Sequence, residues 1–367
     1  MQLKQVVATG DPNFLYRYQY LLKALEAHCQ NLQRLPCGDV YNNKLPQKVA
    51  DTAYKVLYKV SLSQADKIFH KNPKAYIAKS RNAEKKIRQL PYKPDFVLQI
   101  FGLFSPFWDN FDIPYGMYLD YTMKLAADKW SPWCPFDNPQ DLDAWLECER
   151  RAYQNATHLF PMSQMVKQCL IEDYGVKPEK ITVVASAGNF HEPYEGKKKF
   201  GTYQLLFNGS DFERKGGPLV LEAFQKVRQA LPQAQLVIIG KKIDINEIGI
   251  LNPGRIRSHD ELRDIFLNTD IVVAPSYCEP FQEFLLEALN YGVPCVVSDR
   301  DGMPEIVEQG VNGILVDQLT PEAIAQTLIS LLRDPKRLAA MSDAARSKIQ
   351  TTLNWDSIAQ KIVNALT

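Results

Sequence analysis

Ile271-Val272-Val273-Ala274-Pro275-Ser276-Tyr277-Cys278-Glu279-Pro280-Phe281-Gln282-Glu283-Phe284-Leu285-Leu286-Glu287 reads as a buried strand, a turn and an apolar helix. A glycine–proline stop and a second strand follow, Gly292-Val293-Pro294-Cys295-Val296-Val297-Ser298. Short β-branched runs nearly free of polar residues are what a parallel sheet covered on both faces requires. Glu279 and Glu287 therefore fall at the C-terminal end of one strand and on the helix after it. In open α/β sheets that edge is where ligands bind.

Proline is favoured at the first helical position, so the helix is expected to start at Pro280 with Glu279 capping it. At about 1.5 Å per residue, Glu287 lies roughly 12 Å along the axis, and the backward lean of helical side chains shortens the gap. The helix start between them offers free N–H groups and a positive dipole end, both suited to phosphate. Two acceptor-only carboxylates flanking an anion site could hold hydroxyls on both sides of a diphosphate, the layout of a nucleotide sugar. Taken in isolation, they could also be no more than a helix-capping Glu and a solvated one.

The same alternation runs through most of the chain. Strand patterns occur at 5–8, 96–100, 116–119, 158–161 and 181–185, with amphipathic runs at 16–27, 142–153 and 164–174. The stretch 188–199 is rich in glycine, proline and charge and reads as a linker. Beyond it, strand patterns at 203–207, 236–239, 271–274, 295–298 and 314–316 alternate with helical ones. Alternating units on each side of a linker imply an α/β protein of two doubly wound domains with a cleft between them.

At 367 residues the chain is long enough for two domains, and 46% hydrophobic with 23% charged residues is ordinary for a globular protein. A net charge of +1 gives no global field to attract nucleic acid. The seven cysteines are scattered and form no CxxC pair, which fits a reducing cytoplasm and no zinc site. Met1-Gln2-Leu3-Lys4 leads into a strand pattern rather than a leader, and no apolar run approaches the roughly 18 residues that span a bilayer.

The neutral total conceals a basic stretch. Residues 55–93 hold 11 Lys and Arg against two acids, Asp66 and Glu84, with Tyr54, Tyr58, Phe69 and Tyr76 among or beside them. Such a stretch is either a solvated helical face or a surface for an anionic membrane or charged acceptor.

A second anion-suited segment precedes the first. Gly209-Ser210-Asp211-Phe212-Glu213-Arg214-Lys215-Gly216-Gly217 follows one strand pattern and opens a helix. Its glycines allow close backbone approach to phosphate, and Arg214 and Lys215 supply positive charge. It lacks the GxxxxGK[ST] spacing of a nucleotide-triphosphate loop. The Asp299-Arg300-Asp301 triplet reads as a polar loop rather than a metal site.

PSYCEPFQEFLLEALNYGVPCVVSDRDGMPEIVEQGVNGILV at 275–316 resembles the donor-binding signature of GT-B glycosyltransferases, specifically the large retaining family 4. FNGSDFERKGGPLVLEAF at 207–224 resembles the same family's phosphate-binding entry motif. The resemblance covers most of the C-terminal half and little of the N-terminal half. It implies a GT-B architecture of two Rossmann-like doubly wound domains facing a cleft. Residues 1–190 would form the acceptor-side domain, 191–201 the linker and 202–352 the nucleotide-sugar domain. A C-terminal helix within 353–367 would pack back on the first domain.

By the same resemblance, Glu279 would contact donor-sugar hydroxyls and Glu287 the ribose hydroxyls. Phe281, Gln282 and Glu283 would lend backbone amides to sugar and phosphate. Gly209 and Ser210 would approach the donor, Arg214 and Lys215 would hold the leaving diphosphate, and Arg257 falls where the base-binding loop lies. Glu305 matches part of a family element at another helix start. The chain departs from the family at Ser210, where arginine is common, and at Gln282 and Asp301, where glycine is usual. It has no histidine near 116–122, where Asp120 is the candidate for touching the donor sugar or the acceptor hydroxyl. The aromatic loops at 101–108 and 130–133 are candidates for stacking on sugar rings, touching lipid or structural packing.

The implied activity is retaining transfer of a hexose from a nucleoside diphosphate sugar, with UDP expected, to a hydroxyl of a lipid, polysaccharide or small molecule. Neither a metal nor another cofactor is required. A cytoplasmic place, at the inner face of a membrane if the basic segment binds there, fits this reading. Two other classes remain open at this point: a non-catalytic nucleotide-sugar binder, and a GT-B-fold nucleotide-sugar 2-epimerase.

Overall fold

The computed structural model describes residues 3–38 and 71–367, together with positions 52, 53, 56 and 59. The chain forms two compact units, Met1–Ala185 with Ile358–Thr367, and Ser186–Ser357. The segment 191–201, expected as a linker, thus belongs to the second unit. There the Tyr194 amide donates to Asn290 Oδ1 at 2.9 Å, and Arg346 donates to the Gly196 carbonyl at 2.8 Å.

The first unit holds a sheet of β1 (Gln5–Gly10), β2 (Asn31–Pro36), β3 (Phe96–Ile100), β4 (Tyr115–Leu119) and β5 (His158–Pro161), in the order β2-β1-β3-β4-β5. Every pairing in it is parallel. Strands β3, β4 and β5 are buried at every position, which their apolar sequences anticipate. Helices α1 (Pro12–Arg17), α2 (Gln19–Glu26), α3 (Pro73–Arg88), α4 (Met123–Lys129), α5 (Pro139–Asn155) and α6 (Gln164–Glu172) accompany it. Val7, Val97, Met117, Leu159, Trp145, Tyr153 and Val166 share one core between sheet and helices. The pattern at 181–185 does not become a strand. Ile181 makes one isolated bridge to Leu159.

The second unit holds β6 (Gln204–Asn208), β7 (Gln235–Ile239), β8 (Ile250–Gly254), β9 (Ile271–Ala274), β10 (Cys295–Ser298) and β11 (Gly313–Val316). Their order is β11-β10-β9-β6-β7-β8, again wholly parallel. Helices α7 (Gly217–Ala230), α8 (His259–Asn268), α9 (Glu283–Asn290), α10 (Met303–Ile306), α11 (Pro321–Leu332) and α12 (Pro335–Thr351) pack around it. Leu205, Phe207, Val220, Phe224, Leu236, Val273, Val296 and Leu328 lie in its core.

This order is that of a doubly wound dinucleotide-binding sheet, in which the chain winds outward in two directions from a central pair. The pair is β6 and β9, with Leu205 beside Ile271 and Leu206 beside Val272. The winding reverses between them, the place at which ligands bind in such sheets, beside the loops that leave the C-terminal ends of the two strands. Those loops carry the two segments singled out in the sequence.

The last helix, α13 (Trp355–Leu366), starts in the second unit, where Trp355 Nε1 donates to the Gly188 carbonyl at 3.0 Å. From Ile358 it belongs to the first. Ile362, Val363 and Leu366 line a small apolar hollow there with Leu3, Val6, Leu25 and Phe96. Among the described residues no helix is long and apolar enough to cross a membrane.

Candidate functional site

Two turns meet at the β6–β9 switch point. After β6, the chain turns through 209–216 before α7 begins. Gly216 ends that turn at φ +77°, and a Cβ there would lie 2.4 Å from the Pro275 carbonyl oxygen. Only glycine combines this left-handed backbone with so close an approach to the β9 loop. The Tyr277 amide then donates to the Arg214 carbonyl at 2.9 Å, fastening one turn to the other.

Arg214, Lys215 and Glu279 converge across this junction. Arg214 Nη1 donates to Glu279 Oε2 at 3.0 Å and to the Cys278 carbonyl at 2.6 Å. Arg214 Nε donates to Asp211 Oδ2 at 2.7 Å. Lys215 Nζ lies 3.4 Å from the same Glu279 Oε2. All three members of the trio are buried, the two cations at 6% exposure and Glu279 at 9%. Burial opposes the Arg214 charge, but Glu279 and Asp211 more than offset it and raise its pKa. For Lys215 burial dominates and lowers the pKa, with Glu279 pulling the other way and Arg214 adding to the fall. Two cations thus share one buried carboxylate next to a helix start, and Asp211 meets Arg214 from its other side.

That helix starts later than expected. α9 begins at Glu283 with Gln282 at its N-cap, not at Pro280 with Glu279 as cap. Glu279 cannot cap because its carboxylate is engaged by Arg214 and Lys215. Its backbone is held too, the Glu279 amide donating to Asp301 Oδ2 at 2.8 Å. Residues 279–282 are consequently an extended turn leading into the helix. Asp301 sits at φ +52° to make this contact. A Cβ on neighbouring Gly302 would come within 2.0 Å of the Pro280 carbonyl, so the 299–302 loop lies directly against the turn.

The remaining candidates distribute as follows. Gly209 closes β6, its amide bonded to the Ile239 carbonyl at 2.8 Å, and Ser210 is exposed with its amide bonded to Asn208 Oδ1. Phe281 is buried beside Gly302, and Glu283 is half-buried in the first turn of α9. Glu287 is half-buried further along α9, and a Cβ on Gly188 would meet its Cγ at 3.1 Å. Arg257 is exposed between β8 and α8, with no described contact to the cluster. Asp120 follows β4 and belongs to the first unit. Glu305 lies in the short α10.

Sequence reading missed three participants: Asp211, the Cys278 carbonyl and Asp301. Asp211 had a signal, since it stands three residues before Arg214, the spacing of one helical turn. Asp301 had none, because its partner is a backbone amide 22 positions away. Among the described residues no group of three or more His, Cys, Asp or Glu is placed to hold a metal ion.

The surface candidates change more. Phe104, Phe107 and Trp108 are at 1%, 0% and 7% exposure, so the 101–108 loop is packing rather than a stacking platform. Buried Glu84 draws that loop in, its carboxylate accepting from the amides of Trp108, Asp109 and Asn110 at 2.9, 2.8 and 3.1 Å. Trp133 is half-buried, its ring set edge-on to Tyr121. The basic stretch 55–93 lies outside the described residues from 55 to 70, apart from positions 56 and 59. In its described part, Arg81 pairs with Asp109, Arg88 with Glu84 and Asp112, and Lys93 with Asp112. Lys79 is buried. Three described cations of the stretch are therefore met by carboxylates within the protein.

The chain is similar to known proteins in sequence and in fold. Residues 192–348 match the family model for glycosyl transferases group 1. The D-inositol 3-phosphate glycosyltransferase of Corynebacterium glutamicum is 28% identical over 65% of this chain and 63% of its own length. The match thus spans less than two thirds of that relative. The sucrose-phosphate synthase structure from Thermosynechococcus elongatus superposes with a TM-score of 0.67 at 15% identity, covering 99% of this chain and 98% of the other. The Anabaena HepE structure in complex with UDP and glucose gives 0.60 at 14% identity, covering 99% of each chain. At those identities the likeness shows the fold alone, two parallel sheets flanked by helices in the GT-B manner.

Proposed function

With residues 192–348 matching glycosyl transferases group 1, we propose that this protein is a glycosyltransferase whose second unit holds a nucleoside diphosphate sugar at the β6–β9 switch point. One observation carries the reading. Arg214 and Lys215 converge on Glu279 immediately before the N-terminal end of α9. Cations and unpaired helix N–H groups suit a diphosphate, and a carboxylate fixed by two cations suits sugar hydroxyls.

Each residue then has a task. The first-turn amides of α9 and the Lys215 ammonium take the negative charge that builds on the departing diphosphate. They are placed before the reaction, so little reorganisation opposes it. Arg214 is committed on two sides to Asp211 and the Cys278 carbonyl, and it orients Glu279 more than it reaches outward. Glu279 accepts from hydroxyls of the sugar, and Glu287 from the ribose. Gly209 and Ser210 border the phosphates, Phe281 and Glu283 frame the helix start, and Arg257 serves the base. Asp120 is assigned to the acceptor side.

The proposed reaction is retaining. The sugar C1–O bond to the diphosphate breaks, the acceptor oxygen bonds C1 on the face just vacated, and the acceptor's proton leaves with the diphosphate. UDP is the donor nucleotide we favour, and HepE, of the same fold, has been crystallised with UDP and glucose. Neither a metal nor another cofactor is part of the scheme. The acceptor is a hydroxyl of a glycan, glycolipid or small molecule, and contact with an anionic membrane through 55–93 remains part of the proposal.

Slow hydrolysis of the donor without any acceptor tests the reading. Release of free sugar from a UDP-, GDP- or ADP-hexose at a rate removed by Lys215→Ala supports an enzyme. Binding of such a donor with no turnover, with or without acceptors, would instead make the protein a binder.

A further inference from the structure

Gln282 presents a polar atom that the fold does not use. The residue is 4% exposed, and its Oε1 has no hydrogen-bond partner. It occupies the N-cap of the eight-residue helix α9, where a side-chain oxygen ordinarily accepts from the second or third helical amide. Gln282 makes no such bond. On the same connection Ser276 Oγ is also buried and unpaired. Buried acceptors without donors are rare because they forfeit their hydrogen bonds to water. Water or a bound molecule can supply the missing donor, and at a helix start beside Arg214 and Lys215 a bound molecule is the candidate.

The chemistry of that molecule is constrained on two sides. The N-terminal end of α9 favours an anionic group, with Arg214 and Lys215 close by. An amide oxygen can only accept, so phosphate oxygens cannot satisfy it. The part of the ligand that meets Gln282 must carry O–H or N–H and must lie close to the anionic part. Three residues earlier, Glu279 is a second acceptor. A ring bearing several donors next to a phosphoester meets both requirements.

We propose that Gln282 is a specificity-determining residue for the transferred sugar, its Oε1 accepting a hydrogen bond from a ring hydroxyl or ring-borne amide N–H. This rests on the nucleotide-sugar reading of the site. The group that donates to Gln282 is one whose loss or inversion the protein rejects, because a site built to pair a substrate donor is left unsatisfied by an analogue lacking it. The side-chain oxygen of Gln282 cannot accept from the diphosphate, so binding of the nucleotide alone does not sense its removal.

Calorimetric titration separates the two parts of the ligand. UDP, GDP and ADP are titrated free and as their glucose, galactose, mannose and N-acetylglucosamine conjugates, into the full chain and into Gln282→Met and Gln282→Gly. Met conserves volume and removes the acceptor. Gly removes the side chain, and circular dichroism of both checks the fold. In Gln282→Met the preferred conjugate is expected to bind about 10- to 100-fold more weakly, with preference among sugars reduced by a similar factor. The free diphosphate is expected to stay within about threefold of wild type. Equal losses for conjugate and free diphosphate would overturn the proposal and make Gln282 a phosphate or folding residue, and unchanged sugar preference in both variants would overturn it as well. A wild-type chain that binds none of the nucleotides removes the underlying reading of the site, an outcome distinct from either.

Discussion

Arg214 Nη1 and Glu279 Oε2 meet at 3.0 Å at the point where the strand winding of the second sheet reverses. The contact joins two loops 65 positions apart in sequence. It also sets the ionisation of the site, because Lys215 shares the same carboxylate oxygen. Removing Glu279 would leave two buried cations facing each other. Glu279→Ala is therefore expected to cost about 3–5 kcal/mol of stability, the usual result of breaking a buried ion pair from one side. Urea denaturation measures it, and an unchanged midpoint and slope would contradict this arrangement.

Lys215 touches catalysis more directly. Lys215→Ala is expected to lose about 2–4 kcal/mol of transition-state stabilisation, in the range of other lost charge-stabilising donors. The loss should appear in kcat/KM for the donor once an acceptor is known, or in the rate of donor hydrolysis before then. Turnover within a factor of a few of wild type would remove Lys215 from the phosphate role.

Asp301 holds the turn from outside the trio, through the Glu279 amide. Asp301→Ala forfeits that bond and places alanine in a left-handed backbone, so a loss of about 1–3 kcal/mol is expected. Asp301→Asn keeps an acceptor and tolerates the conformation, and should lose less. Equal stability of the two variants would show that the contact does not hold the turn.

In the first unit, Glu149 gives the fold a pH dependence of its own. Burial pushes its carboxyl up to about 7, against the pull of Tyr174, Trp145, the Met123 amide and Tyr153. The folded protein then holds a proton that the unfolded chain releases near pH 4.5. The stability this protonation lends is complete below about pH 4.5 and is lost as pH rises through about 7. Glu149→Gln should flatten that part of the stability profile. A wild-type profile that rises between pH 5 and 7 while the Gln variant is flat would reverse the sign and contradict it.

The strands of the second unit were legible because central parallel strands are apolar on both faces. The runs at 203–207 and 271–274 could hardly be anything else. The two strands that reading passed over, Asn31–Pro36 and Ile250–Gly254, are both sheet edges. Among the described residues neither has a second strand partner, and each carries polar side chains such as Arg34 or Asn252 and a proline in place of the apolar signature. The motif residues were legible as types, and their mutual contacts were not. Glu279 looked like a helix cap because proline follows it, and the ion pairs that divert it come from a loop distant in sequence. The 101–108 aromatics were open to stacking, lipid contact or packing by sequence, and the bonds that settle them as packing run from Trp108 and Asp109 to Glu84, 24 and 25 positions upstream.

The most direct test is a thermal-shift panel of UDP, GDP and ADP sugars on the wild-type chain and on Lys215→Ala. A ligand bound only by the folded state adds about 2.7 kcal/mol at a hundred times its Kd, enough to raise Tm visibly. One nucleotide sugar is expected to raise the wild-type Tm in proportion to the logarithm of its concentration, with most of that shift gone in Lys215→Ala. No shift with any of the nucleotides, or a shift that the variant keeps in full, would contradict the assignment of Arg214, Lys215 and Glu279 to a diphosphate-sugar site.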